Sequence, residues 1–349
     1  MLKFWFTITK LTFLLLVIQS YGFAQEIHRD KGKSSPHLFH NSVSSSYHVM
    51  VNDSSGFKAW MIQSLPNAVI KSDPALKNVY RISSLAKKDL EKLLEAPELR
   101  FVEVATRYPS VESDVPGLDL TVNAINAVHH LYPSLTGEGL RVLVKENAFD
   151  KNDIDLVGRV YKHESVPDVY DPHATAMATI ISGAGNTSQE SKGVAWKSNP
   201  GFSDFGNLMP ESTAGLITNG ISVQNHSYGV GVENFYGIES HAYDKQCVEY
   251  PRIVHVFSAG NSGMDAANSG LYDGITGYAN LTGQFKIAKN IIAVGSIDQS
   301  GVIEPVSSRG PASDGRIKPV HRLRRPFLRC PLQKLQYWGS PRFAAFDRC

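Results

Sequence analysis

The chain has 349 residues, 42% of them hydrophobic and 19% charged, with a formal net charge of +2 at neutral pH. Such a chain can bury a sizeable core, as one large domain or two medium ones. The near-balance of charge leaves no case for a nucleic-acid or acidic-surface partner, and the three cysteines (Cys247, Cys330 and Cys349) are too few and of the wrong parity for a disulfide framework.

Residues 1–24 read as a secretory signal. Lys3 and Lys10 supply the positive start, Leu11 to Ile18 is apolar but short for a bilayer, and Gly22-Phe23-Ala24 offers a small-x-small cleavage site. An N-terminal membrane anchor is the other reading of this segment, and no later stretch is long and apolar enough to span a membrane. The expected location is therefore secreted, periplasmic or at the cell surface. Residues 25–50 are rich in His, Ser and Lys and predict a flexible lead.

Residues 50–106 predict a small module of strand, helix and strand. Lys77 to Ile82 alternates as a strand does, and Phe101 to Val104 alternates again. Between them Leu85, Leu90, Leu93 and Leu94 fall at helical spacing, with Ser84 as the expected cap. From about Leu118 the pattern changes. Val122 to Leu131 predicts an amphipathic helix, and Gly137-Glu138-Gly139 a turn. Strands are expected at Leu140–Val144, Ile221–Gln224, Ile253–Phe257 and Asn290–Val294, with helical stretches between them. Strands alternating with helices imply an α/β fold: a mostly parallel sheet covered on both faces. Functional groups then collect just past the carboxyl ends of the strands.

Several short motifs sit at such ends. Asp171-Pro172-His173-Ala174-Thr175 opens a run of small residues closing at Gly183, which leaves a histidine with fixed backbone and open approach. Asn225-His226-Ser227-Tyr228-Gly229 follows one strand, and Ser258-Ala259-Gly260-Asn261 follows another. Ser307-Ser308-Arg309-Gly310-Pro311 and Gly315-Arg316-Ile317-Lys318-Pro319 come later. In order and approximate spacing, from about residue 118 to 319, these motifs resemble those of the subtilisin-like serine peptidases. Gly193-Val194-Ala195 and Ala288-Lys289-Asn290-Ile291 fit the same pattern.

The resemblance implies roles. His173 would be the general base, although Ala174 stands where the family has Gly. Asn261 would stabilise the oxyanion, and Ser227, Tyr228 and Gly229 would lie along the substrate and bind it by main-chain hydrogen bonds. The family's orienting aspartate has no identical counterpart. Ungapped alignment of Val142 to Arg159 puts Glu146 at its place, with Asp155, Leu156, Gly158 and Arg159 on the family's Asp-Leu-x-Gly-Arg ending; Asp150 and Asp153 remain as other orienters. The resemblance also makes residues 25–115 a lead and propeptide, an inhibitory partner of residues 116–319, with cleavage at Arg107 or within Asp114–Asp119. The other reading is an independent small domain. The expected partner is a peptide or protein substrate. No cofactor is expected; family members often hold structural calcium, but no local carboxylate cluster assigns a site here.

The pattern then breaks. The family continues after Lys-Pro with Asp, an apolar strand and Gly-Thr-Ser, the nucleophile. Here residues 320–349 carry six arginines and Lys334 against one acid, Asp347. Ser340 sits in a faint echo of the motif, with Pro341 at the nucleophile's place. A frame-shifted or truncated product is the expected reading, a genuine basic tail the other. Without a nucleophile the chain would lack an acyl-enzyme route, which leaves a non-catalytic peptide binder as the alternative function. An esterase of the α/β-hydrolase type is excluded, since no Gly-x-Ser-x-Gly elbow occurs.

Overall fold

A computed structural model describes residues 33–36, 38, 46–111, 120–121, 123–162, 165–298 and 300–319. The signal segment, the Asp114–Asp119 region and the basic tail with Ser340 lie outside the described residues. The chain divides between Thr106 and Arg107 into two compact units.

The first unit is an antiparallel sheet with two helices. Its strands are β1 (Ser46–Val51), β2 (Val69–Ser72), β3 (Val79–Ser83) and β4 (Leu99–Val104), in the order β2-β3-β1-β4. Helix α1 (Ser54–Ser64) begins at Asp53, whose carboxylate accepts the Ser55 and Gly56 N–H groups; α2 spans Lys87–Leu94. Tyr47, Val49 and Val51 of β1 are buried with Phe57 and Met61 of α1 and Leu90 and Leu93 of α2. Two expectations change here. Residues 46–50, expected in the flexible lead, form a central strand, paired with β3 and β4 on either side. Its polar residues hid the alternation of Tyr47, Val49 and Val51. Ser84 does not cap α2: it takes a left-handed φ of 60°, and Ala86 holds the cap position without a side-chain bond.

In the second unit β5 (Ser110–Val111) is followed by α3 (Ile125–Leu131) and β6 (Arg141–Glu146). Then come α4 (Pro172–Ser182), β7 (Asn199–Asp204), α5 (Thr213–Thr218), β8 (Ile221–His226) and β9 (Tyr228–Gly229). The series ends with α6 (Ile238–Glu249), β10 (Val254–Ser258) and β11 (Ile292–Val294). Five of these strands form one sheet in the order β11-β10-β8-β6-β7, each neighbouring pair parallel. This is the α/β architecture that the alternation of strands and helices predicts. Strand β7 escaped the sequence pattern because Asn199-Pro200-Gly201 looks like a turn. It is an edge strand, where proline is tolerated, and a Cβ on Gly201 would come 2.4 Å from the Tyr161 ring.

Side-chain alternation along β6 decides what each face meets. Val142 and Val144 pack with Ala174, Met177 and Ala178 of α4, whereas Leu143 packs with Leu216 of α5. The same period sends Glu146 to the α4 face and Lys145 to the other. Lys145 is fully buried; its ammonium donates to the Met209 carbonyl at 2.6 Å and lies 3.7 Å from Glu211. Burial pushes its pKa down, and Glu211 offsets part of that shift.

Candidate active site

Because β6, β8 and β10 are parallel neighbours, their carboxyl ends lie along one edge of the sheet. Glu146 ends β6, Ser227 follows β8, and Asn261 follows β10. His173 reaches the same edge from the first turn of α4. Asp171 caps that helix and accepts the His173 N–H at 2.8 Å, and Pro172 supplies a preset φ at the first helical position. The Asn147 amide donates to Asp171 at 3.2 Å, tying the cap to the end of β6. Asp171 and Asn147 were missed as positioning groups; the Asp-Pro pair before His173 is the signal that carried the cap.

The backbone so fixed brings two predicted residues together. His173 Nδ1 lies 2.7 Å from Glu146 Oε2, with the histidine 5% exposed and the glutamate fully buried. Donation from Nδ1 to a carboxylate holds a neutral imidazole as the tautomer whose Nε2 carries a lone pair. The other orienter candidates face elsewhere. Asp150 Oδ1 accepts the Asn152 N–H, while its own N–H donates to the Thr175 hydroxyl; Asp153 Oδ1 accepts the Asp155 N–H. A deshielded imidazole N–H proton is therefore expected in the proton NMR spectrum. It should vanish in Glu146→Ala, which also loses about 2 kcal/mol of stability, and persist in Asp150→Ala. Loss in Asp150→Ala alone would move the pairing to that aspartate.

The Asn225–Gly229 segment presents its main chain rather than its side chains. Ser227 Oγ accepts from the Asn225 amide at 2.9 Å, and the Tyr228 ring is fully buried with its hydroxyl 3.3 Å from His226 Nδ1. The edge formed by β9 is paired antiparallel with β5, Ser110 opposite Gly229 and Val111 opposite Tyr228. A segment of the same unit thus covers this edge as an added strand.

Asn261 is exposed, at the tip of a tightly held turn. Gly260 has φ 114°, and its carbonyl accepts the Ser308 N–H at 2.8 Å. The Ser308 hydroxyl accepts the Ser262 N–H, and the Ala259 N–H donates to Val294. The Ser307-Ser308-Arg309 motif therefore brackets the turn that carries the carboxamide.

Residues 58–320, well over half of the chain, match the model of the subtilase family of peptidases, S8. The chain belongs to the subtilase family. Solved structures share its fold, among them two enzymes. One is fervidolysin from Fervidobacterium pennivorans, a keratinolytic enzyme related to subtilisin, at 20% identity and TM-score 0.51. That match covers 80% of this chain and 48% of fervidolysin, so the chain spans about half the length of that relative. The other is the epidermin leader peptide processing serine protease of Staphylococcus aureus, at 16% identity and TM-score 0.51, covering 77% of this chain and 73% of that one. No helix among the described residues of this subtilase is long and apolar enough to cross a membrane.

Proposed function

We propose that this subtilase is a secreted serine endopeptidase precursor in which a base, its orienting acid and an oxyanion donor are preassembled. The 2.7 Å contact between His173 and Glu146 carries the reading. In the family's acyl-transfer chemistry a serine attacks the peptide carbonyl. His173 would take the serine proton at Nε2 and return it to the leaving amine, while Glu146 holds the tautomer and stabilises the imidazolium. The Asn261 amide would meet the charge that develops on the carbonyl oxygen. Removing one such donor costs about 3 kcal/mol of transition-state stabilisation, a figure obtained on subtilisin. Ser227, Tyr228 and Gly229 would bind substrate through their main chain, as β9 now binds β5, and residues 25–115 would act as propeptide.

No Gly-Thr-Ser follows Pro319 within these 349 residues, so we read this chain as lacking the family's nucleophile within them. Its second reading is a peptide-binding protein without chemistry, favoured by the strand pairing at β9, which needs no nucleophile. A fluorophosphonate probe separates the two. The chain is expected to stay unlabelled; labelling of a serine that disappears in His173→Ala would place a working nucleophile in it.

A further inference from the structure

Upstream of the strand paired on β9, the chain buries an arginine. Arg107 Nη1 donates to both carboxylate oxygens of Glu233, at 2.8 and 2.7 Å, and Nη2 donates to Glu239. The three side chains are 10%, 8% and 1% exposed. The pocket is built by the protein, not by the arginine. Glu233 is held by its own N–H on the Leu281 carbonyl at 3.0 Å and by the Gln284 N–H on its carboxylate at 2.9 Å. Glu239 is fixed in the first turn of α6. Two carboxylates face one guanidinium.

Arg107 lies three positions before Ser110, the residue opposite Gly229. Arginine and strand are thus parts of one extended ligand: main-chain pairing supplies affinity, and a charged pocket supplies selectivity. Departure of that ligand would take the guanidinium away from two nearly buried carboxylates, which is unfavourable. A second guanidinium restores the balance. An ammonium restores it less well, because a single nitrogen cannot span both acids as the planar fork does.

We infer that Glu233 and Glu239 form a guanidinium-binding subsite, and that peptides taken by this site carry arginine three residues before the residue paired with Gly229. The subsite rests on the peptidase reading above, which makes residues 107–111 a releasable ligand, but its test requires no nucleophile. In full-length Arg107→Ala the vacated pocket should take N-acetyl-arginine amide. The thermal midpoint should rise with the logarithm of the amide's concentration, by about 4 °C at ten times the dissociation constant. N-acetyl-lysine amide should give a smaller rise, and the uncharged isostere N-acetyl-citrulline amide none. The arginine response should vanish when Glu233→Gln and Glu239→Gln are added. Where Arg107→Ala does not fold alone, the same contrast is read as folded yield on refolding with each compound. No arginine response, an equal citrulline response, or a response that survives the double Gln substitution overturns the subsite. None of these outcomes bears on fluorophosphonate labelling, and an unlabelled chain leaves the subsite standing.

Discussion

Acidification from pH 6.5 should unfold the C-terminal unit steeply, with stability falling by about 3 kcal/mol per pH unit as two buried histidines resist protonation. His226 and His255 are 0% and 1% exposed and lie in one chain of hydrogen bonds. The Gln246 side-chain oxygen can only accept, and with neutral rings this sets the direction: the Tyr228 hydroxyl donates to His226 Nδ1 at 3.3 Å, His226 Nε2–H to His255 Nδ1 at 3.2 Å, and His255 Nε2–H to Gln246 Oε1 at 2.9 Å. The Gln246 amide passes on to the Glu211 carbonyl at 2.6 Å. Each imidazole then has one nitrogen as donor and one as acceptor, so every bond of the network is made with both neutral. The His226 ring also stacks on Phe257, with centroids 3.8 Å apart.

Burial, with His255 beside it, holds His226 well below its ordinary value; burial, with Lys145 nearby, brings His255 down to about 3. In the unfolded chain both titrate near pH 6.5. Between that pH and the folded values, the unfolded state binds more protons. Stability is therefore fully present above about pH 6.5 and is lost as pH falls. Urea unfolding followed by circular dichroism from pH 7.5 to 4.5 checks the slope. His255→Gln should roughly halve it, while leaving the native state weaker at pH 7.5. A stability profile flat to pH 4.5 would refute the neutral network.

The second large effect is expected at Gly260. Gly260→Ala should destabilise the unit by at least about 3 kcal/mol, enough to deplete soluble protein. Two costs add. Its φ of 114° lies where side chains are rarely tolerated, a strain of about 1–3 kcal/mol. A Cβ there would also stand 2.1 Å from Thr282 Oγ1 and 2.8 Å from Ser308 Oγ, overlaps that must push apart the turn carrying Asn261. Gly231→Ala is the control: φ is 91°, but nothing lies within 4 Å of the added carbon, so only the strain remains. Equal thermal shifts in the two variants would show that the contacts around Gly260 do not constrain the turn.

Much of this fold could be read along the chain. Strands β6, β8, β10 and β11 were legible because their β-branched and apolar runs end at turn residues, and such runs bury themselves wherever they lie. Each differs from its expected bounds by only a residue or two. Strand β7 was not legible, because Pro200 and Gly201 are punished by local propensity, while an edge position and the Tyr161 ring, both long-range circumstances, make them acceptable. Strand β1 was masked in the same way by its polar neighbours.

The candidate site divides along the same line. His173 and Asn261 were legible as types of residue at strand-end and helix-start positions, and the family pattern is what assigns them roles in the proposal. Which carboxylate meets the imidazole was open in the sequence among Glu146, Asp150 and Asp153. The pleat of β6, by turning Glu146 toward α4, makes the contact. The guanidinium pocket had no sequence signal at all: Arg107 stands 126 residues from Glu233 and 132 from Glu239. Local order, in short, determined the strands, the turns and the kinds of reactive group. Strand order, burial and the meeting of distant charges were decided only by the packed structure, because a contact energy depends on separation in space, and chain distance does not measure that.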